Sequence, residues 1–425
     1  MAKTLVIAAP SSGCGKTVIT LGLLRALRNR GLRVASAKVG PDYIDPRFHE
    51  AATGRPCFNL DPWAMDGAQI RTLLRSLSGD ADIIVIEGVM GLFDGPDGAA
   101  GSTADLASSL GLPVMLAVDA RHQAQSIAAL VHGFSTYRPD VTVAGVLLNR
   151  VASDRHAAIL HGALGHSLLG MLRHDDSLVL PSRHLGLVQA EENQGLETFI
   201  ETAALAVARE TVLDRILAIA GQLVDESVIR EALPPLGQRI AIARDSAFAF
   251  AYPHLLHQWH RSGASLSFFS PLANEPAEPD ADAIFLPGGY PELHAARLSA
   301  NVAFIDSLRV FKGLIYGECG GYMVLGDALV DAAGTSHAMA GLLPLVTSFA
   351  NRKLHLGYRR LTPETGAPWA SPLRGHEFHY SSIVQEGAAD RLFTARDAAG
   401  RDLAPMGLRR GKVMGSYAHI ICEAH

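Results

Sequence analysis

A chain of 425 residues, 48% of them hydrophobic and 6% aromatic, carries apolar material for two domains at about 100–200 residues each. Its 37 basic and 42 acidic residues leave a net charge of -5, and no Lys/Arg-rich run stands out, which excludes a nucleic-acid footprint. Four cysteines (Cys14, Cys57, Cys319, Cys422) form neither a CxxC pair nor a metal-ligand spacing, and thiols this sparse fit a reducing cytoplasm.

The first predicted element is a strand over Leu5–Ala9 that runs into a Gly-rich turn. It is too short for a signal-peptide core, and no stretch of about 18 uncharged apolar residues follows, so the expectation is a cytoplasmic protein with no membrane partner. Further strands are predicted over Val34–Val39, Ile83–Glu87, Val114–Val118, Val143–Leu148 and near Leu168–Leu172. They are rich in Val, Ile and Ala and hardly alternate, as strands buried on both faces of a mostly parallel sheet do. Amphipathic stretches such as Val18–Arg30 and Ala124–His132 supply the intervening helices. ALPPLGQ at Ala232–Gln238 reads as a linker, dividing residues 1–230 from 238–425. Beyond it, Ile240–Ala243, Ala283–Leu286 and Gly313–Tyr316 repeat the strand pattern, so two α/β domains are expected.

Pro10-Ser-Ser-Gly-Cys-Gly-Lys-Thr17 lies between a strand and a helix, where a P-loop belongs. Backbone N–H groups around Ser12, Gly13 and Gly15 would cradle ATP phosphates, Lys16 would reach the outer phosphates, and Thr17 would ligate Mg2+. The first glycine of the usual pattern is replaced by Pro10. KVGPDYIDP, from Lys38, offers Asp42 and Asp45 on a proline-stiffened turn. DIIVIEGVMGLFDG ends a strand in Glu87 and carries Asp94, with Asp97 just beyond. Carboxylates at the C-terminal tips of parallel strands face the ligand crevice, so Asp45 and Glu87 join Thr17 as the expected magnesium ligands. Each acid alone reads equally well as a turn cap.

Gly317-Glu-Cys-Gly-Gly321 follows a strand as a G-x-C-x-G elbow, with glycines where the turn leaves no room for side chains. Cys319 would be a nucleophile at a helix N-terminus, whose dipole favours thiolate. Gly289 of PGGYPE and Gly320 would give N–H groups to an oxyanion hole, and His419 of GSYAH is the candidate base. For Cys319 the plain alternative is a small buried residue, and for His419 it is one of 18 histidines without a role. Jointly the two sites read as an amide-forming ligase. A thiolate would release ammonia from L-glutamine through a thioester, and ATP would activate a carboxylate as an acyl phosphate.

SSGCGKT, KVGPDYIDP, NLDPW, EGVMGLFDG, PGGYPE, GECGGYM, KLHLGYR, GHEFHYS and GSYAH occur in that order across residues 5–419. Together they resemble the cobyrinate/hydrogenobyrinate a,c-diamide synthase family of corrin biosynthesis. That resemblance implies a dethiobiotin-synthetase-like P-loop domain followed by a class I glutaminase. It implies ATP- and glutamine-dependent amidation of the a and c carboxylates, c before a, with nucleophile Cys319 and histidine His419. It also implies a corrinoid partner, either cobyrinate or hydrogenobyrinate. IAAPSSGCGKT and RPCFNLDPWAM are more similar to the late-cobalt, hydrogenobyrinate branch. Lys38, Asp42, Asp94, Asp97, Arg359, His376 and His379 are assigned to substrate binding and activation. The last three, with Arg352, Lys353, Tyr358 and Arg360, are expected at the domain interface near the corrin, although charge patterning alone suits a solvated basic strand equally well.

One departure stands out. Triad glutaminases place a glutamate two residues after the histidine, where this chain has Ile421, so that orienting role is absent or filled from elsewhere. Related readings are a cobyric acid synthase or an enzyme amidating nickel-sirohydrochlorin. A partitioning ATPase of the deviant-Walker type would need a second lysine where Ser11 stands, and has no G-x-C-x-G domain. A corrinoid-binding protein with a dead glutaminase would not need the intact elbow. Oligomeric state is not written in a single chain, and a homodimer is among the open states.

Overall fold

The computed structural model describes residues 2–424 apart from 98–99, 181, 184–185, 188, 224–229 and 231. The chain divides into two compact units, Met1–Arg230 and Glu231–His425.

In the first unit, β1 (Lys3–Ala8), β2 (Val34–Val39), β3 (Cys57–Leu60), β4 (Ile83–Glu87), β5 (Val114–Asp119), β6 (Val143–Val151) and β7 (Leu168–Arg173) form a parallel sheet in the order β3-β2-β4-β1-β5-β6-β7. A two-residue strand, β8 (Gly221–Gln222), joins β1 antiparallel. Strands β2 and β4 are buried along their whole length, which is why their sequences carry no alternation. The helix Lys16–Asn29 lies against the helix Leu196–Glu210 at very short range. A Cβ on Gly22 would stand 2.7 Å from the Ala203 carbonyl oxygen, so only glycine permits the approach. Arg25, nearly fully buried, fixes the contact through a 2.6 Å ion pair with Glu197. Because the strands run parallel, the ends of β1, β2, β4, β5 and β6 open on one edge, and the site is built there.

The second unit centres on a ten-stranded sheet made of β9 (Arg239–Ala243), β10 (Ser265–Phe269), β11 (Ala283–Leu286), β12 (Leu314–Glu318), β13 (His355–Pro363), β14 (Leu373–His379), β15 (Asp390–Arg396), β16 (Met406–Arg410), β17 (Val413–Ser416) and β18 (Ala418–Glu423). Its order is β10-β9-β11-β12-β17-β16-β15-β13-β14-β18. The first five in that order are parallel, and the rest are antiparallel. Trp259 packs edge-on against Phe285, and Tyr316 against Trp369, within the core. The antiparallel half carries the chain back so that β18 starts beside the end of β12. Among the described residues, no helix is long and apolar enough to cross a membrane.

Candidate active sites

The turn after β1 has two left-handed glycines, Gly13 (φ 81°) and Gly15 (φ 89°), and the second opens the helix Lys16–Asn29. Asn149, at the end of β6, donates from Nδ2 to the Cys14 carbonyl at 3.0 Å. Arg150 donates to the Gly13 carbonyl at 2.8 Å and pairs with Asp119 at 2.6 Å. Beside the loop lies a cleft of about 470 Å³ lined by Ser12, Gly13, Asp119, Arg121, His122 and Gln123, among others. Asn149, Arg150 and Asp119 were not singled out from sequence, yet each stands at or beside the C-terminal tip of a predicted parallel strand, the signal that picked out Glu87. A Cβ on Gly15 would lie 2.1 Å from Asn149 Nδ2 on top of an unfavourable φ. Gly15→Ala should therefore weaken ATP binding by more than about 10-fold, measured by calorimetry on the whole chain.

Thr17, Lys38, Asp45 and Glu87 converge. Thr17 Oγ1 donates to Glu87 at 2.9 Å and reaches Asp45 at 3.4 Å. Lys38 Nζ lies 2.5 Å from Asp45 and 2.9 Å from Glu87. Behind them His49, absent from the sequence reading, bonds Glu87 at 2.7 Å and Cys57 at 3.4 Å. Burial alone would raise the Glu87 carboxyl, but Lys38 and His49 hold it well below the usual range. Burial would lower Lys38, yet Asp45 and Glu87 keep it firmly protonated. Asp45, with burial and Asp42 against it, is pushed up to about 6. Lys16, lowered by burial and by Lys38, lies 2.5 Å from the Met90 carbonyl. The three hard oxygen donors of Thr17, Asp45 and Glu87 suit magnesium, with Lys38 as the counter-charge among them.

Other acids serve turns. Asp42 accepts from the Ile44 and Asp45 amides at 2.9 and 3.0 Å, opening the helix Asp45–Thr53, and its second oxygen is 3.9 Å from Lys38. Asp94 is exposed and accepts from Gly91 at 2.8 Å, while Asp97 is exposed on the same loop.

In the second unit Cys319 sits at φ 45°, ψ -104°, a conformation that non-glycine residues avoid and that a strained elbow imposes. Its amide donates to Ser416 at 2.8 Å, tying β12 to β17, and Sγ lies 3.8 Å from the Phe378 carbonyl. The expected dipole-lowered thiol needs correcting. Burial, then Glu292, push Cys319 up, and the following helix Gly320–Leu325 is a short one that cannot offset this. The thiol is therefore protonated at rest and needs a base. A Cβ on Gly288 would lie 2.3 Å from His419 Cε1 and 3.2 Å from Cys319 Cβ, so the nucleophile, the histidine and this glycine share one spot. Gly320 and Gly289 also meet, since a Cβ on Gly320 would be 3.1 Å from the Gly289 nitrogen. His419 is fully buried, and burial with His376 and His379 depresses it to about 3, leaving a neutral imidazole.

His379 stacks on Tyr417 at 3.7 Å and bonds Glu377 at 2.8 Å, and Glu377 in turn holds Arg359 at 2.7 Å. Arg359 is thus committed to a carboxylate within its own unit, and His376 is buried rather than on a basic surface. Arg360 points to the other face, lining a cavity of about 590 Å³ with Arg374 and Arg396. His355, Glu377 and His379 place ligating atoms within 4.8 Å of one another. The two imidazoles are nearly parallel (11°), so their in-plane lone pairs run side by side and do not converge on a cation.

Two family models match in sequence order. The CobQ/CobB/MinD/ParA nucleotide binding domain covers residues 5–188, and the CobB/CobQ-like glutamine amidotransferase domain covers residues 239–425. The hydrogenobyrinate a,c-diamide synthase of Brucella suis biovar 1 (strain 1330) is 56% identical over 99% of this chain and 98% of its own length. Those of Rhizobium meliloti (strain 1021) and Rhodobacter capsulatus are 55% and 51% identical, over 98% and 99% of this chain and 98% of each. The chain belongs to the hydrogenobyrinate a,c-diamide synthase family. As a member it is a glutamine-dependent ligase with a nucleotide-binding and an amidotransferase domain. The amidotransferase match over residues 239–425 also disposes of the partitioning-ATPase reading.

Proposed function

We propose that this protein converts the a and c carboxylates of hydrogenobyrinate to amides, using two ATP and ammonia from two glutamines. The observation that carries the reading is the pairing, in one chain, of a phosphate loop facing a Lys38–Asp45–Glu87 cluster with a strained cysteine elbow beside a buried histidine. The near full-length identity to enzymes named for this reaction supports the choice of ring.

In the amidotransferase unit, His419 takes the Cys319 proton as sulfur attacks the glutamine amide. The Gly289 and Gly320 N–H groups receive the oxyanion. The proton passes to the departing ammonia, and water then cleaves the thioester to glutamate. In the nucleotide unit, the substrate carboxylate attacks the γ-phosphate to give an acyl phosphate and ADP. Ammonia displaces phosphate to form the amide. Ser12, Gly13 and Gly15 cradle the phosphates, and Lys16 and Lys38 offset the charge that develops there. Magnesium would be held by Thr17, Asp45 and Glu87 and would supply charge neutralisation on the phosphates. The 470 Å³ cleft beside Asp119 takes the nucleoside end.

Mass spectrometry of the ring after incubation with ATP, Mg2+ and glutamine tests this. Two carboxylate-to-amide changes on hydrogenobyrinate are expected. No change on that ring, or a preference for cobyrinate or nickel-sirohydrochlorin, would overturn the substrate assignment.

A further inference from the structure

Ile421 occupies the position where a triad glutaminase holds its orienting glutamate, and it is buried. A carboxylate nevertheless stands at the histidine. Glu318, the last residue of β12 and the immediate neighbour of the nucleophile, is 2% exposed. Its Oε1 accepts from the Ile420 amide at 3.0 Å, and its Oε2 lies 3.8 Å from His419 Nδ1.

We infer that Glu318 is the positioning residue of this glutaminase, approaching His419 from the strand that delivers the nucleophile rather than from the histidine's own strand. The inference rests on the glutaminase half of the proposed function. Strand β12 ends at Glu318 and the elbow begins at Cys319, so their side chains leave the backbone in different directions. One supplies sulfur and the other reaches round to the ring edge. The Ile420 hydrogen bond fixes the carboxylate against β18, so Glu318 and His419 keep register even though they come from opposite halves of the sheet. At 3.8 Å the carboxylate is a charge partner rather than a hydrogen-bond acceptor: its charge favours the proton on Nδ1, leaves Nε2 as the unprotonated nitrogen that takes the thiol proton, and stabilises the imidazolium that results. The Phe250 carbonyl also favours the protonated ring. That carbonyl brings no charge, and a fully buried imidazolium needs one.

Burial pushes the Glu318 carboxyl up to about 8, with the Ile420 amide acting against the rise. Below that pH the acid is protonated, and its charge no longer favours the proton on Nδ1 or stabilises the imidazolium. The glutaminase should therefore gain activity as pH rises through about 8. Other titratable groups face this pair: Tyr316 from β12, His376, Glu377 and His379 from β14, Glu292 from the loop beside Cys319, and His254, which bonds the Ile421 carbonyl. All of them are retained when Glu318 alone is changed.

The test is Glu318→Gln in the full chain, reading glutamate release and amide formation separately. Glutamine-dependent kcat should fall about 100-fold with little change in KM for glutamine, and ammonia-dependent amidation should stay within about twofold. The rise near pH 8 should vanish. Glu318→Asp, which keeps the charge but shortens the reach, should lose about 10-fold and keep the rise. A Gln variant within about threefold of wild type, a rise that persists without the carboxylate, or equal loss with glutamine and ammonia would each overturn the role. Failure of the wild type to amidate hydrogenobyrinate with ammonia would instead strike the substrate reading, and glutamate release would still judge Glu318.

Discussion

Cys319→Ala should abolish glutamine-dependent amidation, by more than about 1000-fold, while ammonia-dependent amidation stays within about twofold of wild type. The two activities separate because the sulfur and the phosphate loop belong to different compact units. Removing one sulfur from a residue that already pays for φ 45° adds no backbone strain, since alanine meets the same cost. The cavity left is one atom in size, so the unit should fold. The resting thiol, raised by burial, makes the reaction dependent on His419 as base. Glutamate release and ring amidation, measured in parallel with each nitrogen source, check this. If both nitrogen sources failed together, the elbow would be a structural part and the nucleophile would lie elsewhere.

The parallel strands were the legible part of this fold. Val34–Val39, Ile83–Glu87 and Ala283–Leu286 are found where their uninterrupted Val/Ile/Ala-rich runs place them. Strands buried on both faces announce themselves by composition. Cys57–Leu60 was missed because CFNL is four residues long with an asparagine in the middle, below what pattern alone resolves. The antiparallel half was nearly invisible for a different reason. HLGYRRLTP reads as a basic surface segment, since one of its faces is solvated, and its partners are set by registers such as Tyr358↔His376 that no local pattern encodes. Within the sites, the meeting of Thr17 with Asp45 and Glu87 was legible because the tips of parallel strands open on one edge. His49 was not, being an ordinary-looking residue on the helix Asp45–Thr53 until that helix turns it onto Glu87. Glu318 is the first x of G-x-C-x-G, a position that the motif leaves open. Its role depends on where β18 returns, which is a fact of topology and not of spacing.

Glu87→Gln should do what Cys319→Ala does not, and abolish amidation with glutamine and ammonia alike, by more than about 100-fold. Glu87 is fully buried and holds Thr17, Lys38 and His49 at once. Gln keeps the shape but removes the charge, leaving Lys38 and His49 undercompensated, which costs about 3–5 kcal/mol for a broken buried pair. The pH dependence has a definite sign. Burial would lower His49, but Cys57 and Glu87 raise it to about 10 from an ordinary 6.5. A raised group contributes stability that is complete below pH 6.5 and is lost as pH climbs through 10. The depressed Glu87 acts at the other end: its contribution is present above pH 4.5 and disappears as pH falls through its folded value. Stability of this unit should thus decline from pH 6.5 toward 10 in wild type. The decline should flatten in His49→Gln and also in Glu87→Gln, which removes the partner that keeps the imidazolium. Hydrogen exchange of the Ile83–Val85 amides at pH 6 and pH 9 reads the first unit without interference from the second. An unchanged pH slope in both variants would mean that His49 is neutral in the folded protein and that Lys38 alone balances Glu87.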